Sequence, residues 1–529
     1  MPVAFLVRVA LLLAGAGALH ICHHNDFHAR YTQINKYNSH CHAQDAEDGN
    51  CFSSLARLQS AMKMADCDVR VFAGDFVQGS IYDSVFGTGL AIAAYNAVGY
   101  DIVTFGNHEF DNGAQPVYDT ILGTPNITWL SSNVFFDSAP PGLSIKRVHE
   151  AADICWISAL TQSTVDISSP GPSVFIHDPV SAMYDALASC SQTDNVVAVT
   201  HVGYEQDVEL CHAVPELDLI IGGHSHTDLS EGPYPSPVRR EDGSICWVVT
   251  ASAYGRYLGV LNASFKDGKL KVEADTYLPL DNRVPLDAEV NAMIGGYTER
   301  LAASVKQVIG YSNSPIDGSR SSCRSRECAM GNLVCDAMLA YAGPKQGADI
   351  CIQNGGGLRA SIDKGDVTIE EVFEVLPFGL VHTVFKVPGA GLVQALEIGF
   401  CAMDNTDASG RFPQVGGMAV TVDYSKPSGK RVVSVVIGDE AVDNERIYTV
   451  VTNSFLAGGG DNYKWDGATD FEIDGIGLDK LTGDYIRAHN PYSPATEGRI
   501  RNIANIAVAK QQPLKPDIEN VFNHNVEYL

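Results

Sequence analysis

Short apolar runs along this chain end, one after another, in small polar clusters. Ile102-Val103-Thr104-Phe105 predicts a buried strand. Gly106 then permits a tight turn, and Asn107-His108-Glu109-Phe110-Asp111 follows with an amide, an imidazole and two carboxylates. The same arrangement recurs elsewhere. Leu19-His20-Ile21-Cys22 runs into Asn25-Asp26-Phe27-His28, and Val69-Arg70-Val71-Phe72 into Gly74-Asp75. Val196 to Thr200 runs into His201, and Leu217 to Ile221 into Gly223-His224-Ser225-His226. Apolar spacing at Leu55, Leu58 and Met62 predicts a helix within Phe52 to Met64, and Leu90 to Val98 predicts another. Strands alternating with helices predict an α/β layered fold. Polar groups just past several strand ends belong at the working edge of such a sheet. The alternating run from Trp247 to Leu278 is expected to complete a second sheet.

Ala288 to Val308 has helical spacing and is expected to bridge two domains. The second half then restarts with a helix near Asn332 to Tyr341 and a strand at Asp349 to Ile352. Next come the glycine run Asn354-Gly355-Gly356-Gly357-Leu358-Arg359 and a short helix at Glu370 to Leu376. Further strands are expected at Thr383 to Val387, Met418 to Val422, Val432 to Ile437 and Tyr448 to Thr452. No internal repeat is visible.

A length of 529 residues is too great for one core, which supports two domains. Acidic residues outnumber basic ones, 63 to 36, for a net charge of −27. That excludes a protein that coats nucleic acid, which needs clustered Lys and Arg. Positive charge for an anionic substrate must then come from metal ions or a few arginines. The start, MPVAFLVRVALLLAGAGALH, pairs one charge with a short apolar run and Ala16-Gly17-Ala18, the pattern of a secretory signal peptide over residues 1–18. No later stretch predicts a membrane span or a lipid-anchor tail. The expected location is secreted, or periplasmic in a bacterium. Thirteen cysteines suggest disulfides plus a free thiol. Cys41 with Cys51, Cys323 with Cys328 and Cys335 with Cys351 are the close pairs, while Cys22 and Cys155 read as buried thiols. Asn126-Ile127-Thr128 and Asn262-Ala263-Ser264 are glycosylation sequons.

The candidate metal ligands are Asp26, His28, Asp75, Asn107, His201, His224 and His226. Carboxylates, imidazoles and an amide without thiolate favour two divalent ions, zinc first, with Mn, Co or Fe compatible. The set exceeds one tetrahedral ion and suits two ions about 4 Å apart that share a carboxylate, as in phosphate-ester hydrolysis. Asp26-x-His28 places two side chains on one side of an extended segment. His108 with Asp111 is the expected catalytic pair, since an imidazolium held by a carboxylate can donate to a phosphate or a leaving oxygen.

These clusters resemble the signature of the calcineurin-like metallophosphoesterases. Asn354 to Arg359, Leu376-Pro377-Phe378-Gly379, Phe455-Leu456-Ala457-Gly458-Gly459-Gly460-Asp461 and Cys323 to Cys328 extend the resemblance to the 5′-nucleotidase family. It implies an N-terminal four-layer αββα sandwich over 19–285, a linking helix over 286–312, an α/β substrate-binding domain over 313–510 and a tail over 511–529. It implies one ion on Asp26, His28, Asp75 and His226, and another on Asp75, Asn107, His201 and His224. It implies nucleotide contacts at Arg326, Asn354, Arg359, Phe378, Phe455 and Asp461. The expected activity is hydrolysis of nucleoside 5′-monophosphates such as AMP to nucleoside and phosphate. An apyrase-like or UDP-sugar hydrolase and a catalytically weak nucleotide-binding protein are the alternatives. A homodimer is left open.

Overall fold

The computed structural model describes residues 19–504 apart from 37, 39, 42, 138, 192, 302–306 and 402–408. The leader 1–18 and the tail 511–529 lie outside the described residues. The first half holds two sheets face to face. In the larger, Leu19–His24 pairs parallel with Val69–Phe72, which pairs parallel with Ile102–Thr104. In the smaller, Ile154–Leu160, Val196–His201, Leu217–Ile221 and Ile245–Val249 run parallel in that order. Their facing sides are apolar and buried: Ile21, Val71 and Ile102 share one core with Val197, Val199, Leu219 and Ile221. Helices cover both outer faces. Leu55–Met64 and Ile81–Val98 bury Leu58, Met62, Leu90 and Tyr95 on the larger sheet. Pro179–Leu187 and Tyr204–Ala213 bury Met183 and Leu210 on the smaller. The result is a four-layer αββα sandwich. Strands buried on both faces carry near-continuous apolar runs, which is why those runs were visible in the sequence.

The run from Trp247 onward divides between sheets. Ile245–Val249 completes the smaller one, whereas Tyr257–Lys266 and Lys269–Pro279 form an antiparallel pair beside Leu19–His24 in the larger. Within the segment Ala288 to Val308 the helix spans Ala288–Arg300 and buries Val290 and Ile294 in the core of the first half, and Val308 already opens a strand, Val308–Ser312.

The second half is built on a five-stranded sheet in which Ile350–Asn354 lies beside Ile447–Asn453, followed by Val381–Pro388 and Thr469–Gly477. Ala329–Gln346 and Leu478–Ala488 pack on one face, and Gly389–Gly399 on the other. Glycine residues Gly355–Gly357 form a short 3-10 turn past the strand Ile350–Asn354.

Six disulfides join described cysteines: Cys22–Cys67, Cys41–Cys51, Cys155–Cys190, Cys211–Cys246, Cys323–Cys328 and Cys335–Cys351. Cys22 and Cys155 are therefore bridged, not buried thiols. Cys401 is free. Among the described residues, no helix is long and apolar enough to cross a membrane.

Candidate active site

All the metal-ligand candidates converge at the strand ends of the two stacked sheets. Asp26, His28 and His226 form one cluster of ligand atoms, and Asp75, His201 and His224 another. His226 Nε2 lies 3.1 Å from Asp26 Oδ1, and His201 Nε2 lies 3.1 Å from Asp75 Oδ2. His28 Nε2 is 3.7 Å from Asp26 Oδ1 and 3.8 Å from Asp75 Oδ2, so Asp75 stands between the clusters. Asn107 Oδ1 lies 2.9 Å from His224 Nδ1.

The backbone that delivers these groups is not extended. Asp26, His28, Asp75, His224 and His226 have φ of 49°, 51°, 60°, 79° and 59°. Left-handed conformations at such residues cost about 1–3 kcal/mol each and persist only where the surroundings enforce them. Here Asp26 N–H donates to Gly74 O at 2.9 Å and His28 N–H to Asp75 O at 3.0 Å. Glu109 tightens the cradle, accepting from the backbone N–H of Asp75, Phe76 and Gly106 at 3.0, 2.8 and 2.6 Å. A Cβ at Gly106 would collide with Asp75.

The donor set fits divalent metal. His201 Nδ1 faces Ala73 O at 2.7 Å, which leaves Nε2 for an ion. Asp26 Oδ1 and His201 Nε2 are buried against other candidate ligands, His226 and Asp75, each at 3.1 Å. Burial lowers His28, His224 and His226, the second to about 3, which keeps these rings in the neutral ligating form. Burial alone would raise Asp75, but His201 and His108 hold it well below the usual carboxylate range.

A cavity of about 900 Å³ opens over the cluster, between the two halves of the chain. Asn107, His108, His224 and His226 line one wall; Asn354, Arg359, Phe378, Phe455 and Asp461 line the other. Asn354 Nδ2 donates to Asp461 Oδ2 at 2.7 Å, and the Arg359 guanidinium lies 5.6 Å from the Phe378 ring centroid.

The comparisons with known proteins agree on this architecture. Residues 19–228 match the calcineurin-like phosphoesterase model and 308–467 match the 5′-nucleotidase C-terminal domain. Snake venom 5′-nucleotidase of Gloydius brevicauda is 31% identical over 92% of this chain and 89% of its own length. The 5′-nucleotidase of Bos taurus is 31% identical over 91% and 90%. The crystal structure of a 5′-nucleotidase precursor from Thermus thermophilus superposes with a TM-score of 0.82 at 30% identity, over 92% of this chain and 100% of that one.

The chain belongs to the 5′-nucleotidase family. It is a hydrolase of the calcineurin-like phosphoesterase type, whose fold implies divalent metal ions. Within this 5′-nucleotidase fold, His108 Nδ1 lies 2.7 Å from Asp111 Oδ2. Burial opposes charge on His108, but Asp111 and Asp75 outweigh it and raise its pKa. Ser168 Oγ donates to Asp111 Oδ1 at 2.8 Å, a support with no signature in the sequence.

Arg326 is placed elsewhere. Its guanidinium donates to Ser322 Oγ at 2.7 Å, on the exposed side of its loop. Arg324, only 9% exposed, lines the cavity instead, with Arg320 and Arg411. The segment follows the helical turn Arg320–Cys323, where residues two apart point roughly 200° away from each other. The two arginines between Cys323 and Cys328 thus face opposite ways, and only the turn decides which one looks inward.

Proposed function

We propose that this is a secreted dimetal 5′-nucleotidase that hydrolyses nucleoside 5′-monophosphates such as AMP. The observation that carries it is the facing of two ligand clusters by arginines and aromatic rings across one cavity. In this reading, residues 19–285 are the metal domain and 313–510 the substrate domain. Asp26, His28, Asp75 and His226 would hold one ion, and Asp75, Asn107, His201 and His224 the other, with zinc the first choice. Bound ions would supply Lewis acidity toward phosphoryl oxygens and acidify the attacking water.

The chain's own groups do the rest. Arg324 and Arg359 hold the phosphate through planar, bidentate-capable guanidinium groups. Phe378 and Phe455 take the base between their rings. Asn354 and Asp461, joined to each other at 2.7 Å, meet the ribose hydroxyls. His108, kept protonated by Asp111, donates to the phosphoryl or leaving oxygen as negative charge develops there. The family membership, the disulfides and the leader sequence support export.

The test is phosphate release from AMP, ADP and ATP by the zinc- or manganese-loaded protein, with His108→Ala beside it. AMP cleavage that His108→Ala removes is the expected result. Cleavage of ADP and ATP but not AMP would make the enzyme an apyrase. Bound metal with no turnover would leave a nucleotide-binding protein.

A further inference from the structure

Asn25 precedes Asp26 and is not itself one of the candidate ligands. It leaves the strand Leu19–His24 of the larger sheet and is 0% exposed. Its amide is fully engaged. Oδ1 accepts the Ala251 N–H at 2.7 Å and faces Thr250 Oγ1 at 3.5 Å. Nδ2 donates to Ser252 O at 2.7 Å and to Asp26 Oδ2 at 2.6 Å. A main-chain N–H on one side and two oxygens on the other fix which way the amide points.

Thr250, Ala251 and Ser252 lie in the loop that follows the strand Ile245–Val249 of the smaller sheet. Asn25 therefore joins the ends of the two stacked sheets at the turn that carries Asp26. The main chain closes the same junction, where Tyr254 N–H donates to Asp26 O at 2.6 Å.

These contacts divide the Asp26 carboxylate. Its Oδ2 accepts from Asn25 Nδ2 and from the His224 N–H, the latter at 2.9 Å. Its Oδ1 is left toward the ligand rings, 3.1 Å from His226 Nε2 and 3.7 Å from His28 Nε2. The last torsion of an aspartate is soft and nearly two-fold, so its oxygens exchange unless donors hold one of them. One donor leaves the group free to swing about that bond. Two donors on Oδ2 make Oδ1 the oxygen presented to an ion.

We propose that Asn25 is a positioning residue for the ion on Asp26, His28, Asp75 and His226, and sets the affinity for that ion by fixing the Asp26 carboxylate. The proposal rests on the dimetal reading above. The other ion draws on Asp75, Asn107, His201 and His224, and among the described residues Asn25 makes no hydrogen bond to any of them. Loss of an outer hydrogen bond to a metal ligand costs about 10–100-fold in metal affinity. An Asn25 variant should therefore weaken one ion and spare the other.

The experiment titrates zinc into the chelator-stripped full chain and follows both binding steps by calorimetry, for wild type, Asn25→Ala, Asn25→Asp and Asn133→Ala. Asn133 is the control. It is also 0% exposed, and its amide bonds only to the main chain of Leu160 and His177. Asn25→Asp keeps the shape and the acceptor for Ala251 but sets an oxygen where Asp26 had a donor, so one misfolded variant does not remove the test. Wild type should take two zinc ions. Each Asn25 variant should bind one of them about 10–100-fold more weakly and the other as wild type does. Saturating zinc should then restore AMP cleavage at an unchanged KM. Asn133→Ala should lower the Tm of the stripped protein and keep both affinities. Two wild-type affinities in a folded Asn25 variant, or equal weakening of both ions, overturns the proposal alone. Fewer than two zinc ions in wild type overturns the dimetal reading and the proposal with it.

Discussion

Asp111 accepts from His108 and Ser168 at once, one on each carboxylate oxygen, at 2.7 and 2.8 Å. Ser168 thereby fixes the carboxylate that fixes the imidazole. His108→Ala is expected to lower kcat by about 10²–10⁴-fold, the usual worth of a positioned acid. Ser168→Ala should cost about tenfold, one hydrogen bond to a charged acceptor, with metal content unchanged. Asp111→Asn also moves the pH profile. Asp111 raises the His108 pKa, so its removal lets the ring lose its proton at lower pH. The alkaline limb of kcat should shift downward. A limb that stays in place in Asp111→Asn would remove His108 from the role of proton donor.

Metal loading should release protons. Without metal, burial lowers His201, but Asp75 and Asp26 outweigh it and raise the ring to about 10. An ion that takes Nε2 must displace that proton at neutral pH. Titration of zinc into chelator-stripped protein, in two buffers of different ionisation enthalpy, should give heats that differ by the protons taken up by buffer. Stripping should abolish activity and lower Tm, and zinc or manganese should restore both. Equal heats in the two buffers would show that His201 is not titrating.

The pattern of this site was legible where it followed strand ends. Leu217 to Ile221 is buried on both faces, so its apolar run marks both the strand and its exit at His224. The backbone beyond the strands was not legible. Asp26-x-His28 reads as an extended pair, yet φ is positive at Asp26, His28 and Ala29, and the chain reverses there under hydrogen bonds to Asp75 and Phe76. Those partners lie in a segment about fifty residues away, and no local spacing announces them. The Cys22–Cys67 bridge hid for the same reason, since it spans 45 residues. Arg326 was expected from the family resemblance, and nothing in the loop from Cys323 to Cys328 tells in advance that Arg324, after the helical turn, lines the cavity.

Asp207 gives stability a pH dependence of its own. It lies buried in the helix Tyr204–Ala213 and accepts from Thr200 Oγ1 at 2.6 Å. Burial raises its pKa to about 8. An unfolded aspartate titrates near about 3.9. The folded chain therefore holds this proton where the unfolded chain has lost it. The contribution is fully present below about pH 4 and is lost as pH rises through about 8. Urea midpoints should fall across that window, and Asp207→Asn should flatten the fall. An unchanged slope in Asp207→Asn would assign the dependence to other groups.

Arg30 ties the two halves together beside the metal ligands. It is 2% exposed, its Nη1 lies 3.6 Å from Glu374 Oε1, and its guanidinium sits 5.2 Å from the Tyr254 ring centroid. That ring in turn packs against His28 and His226, at 5.5 and 5.3 Å between centroids. Glu374 comes from the helix Ile369–Val375 in the second half, just before Phe378. Removing one partner of a buried ion pair costs about 3–5 kcal/mol, because the other charge is left in a poor solvent. Glu374→Leu should therefore loosen the two halves, with faster amide exchange over 369–376 and a lower kcat at unchanged metal content. Arg30→Met combined with Glu374→Leu should recover much of the loss, since a matched apolar pair leaves no stranded charge. Additive losses in the double variant would mean that Arg30 and Glu374 act separately, and that the halves are held by other contacts.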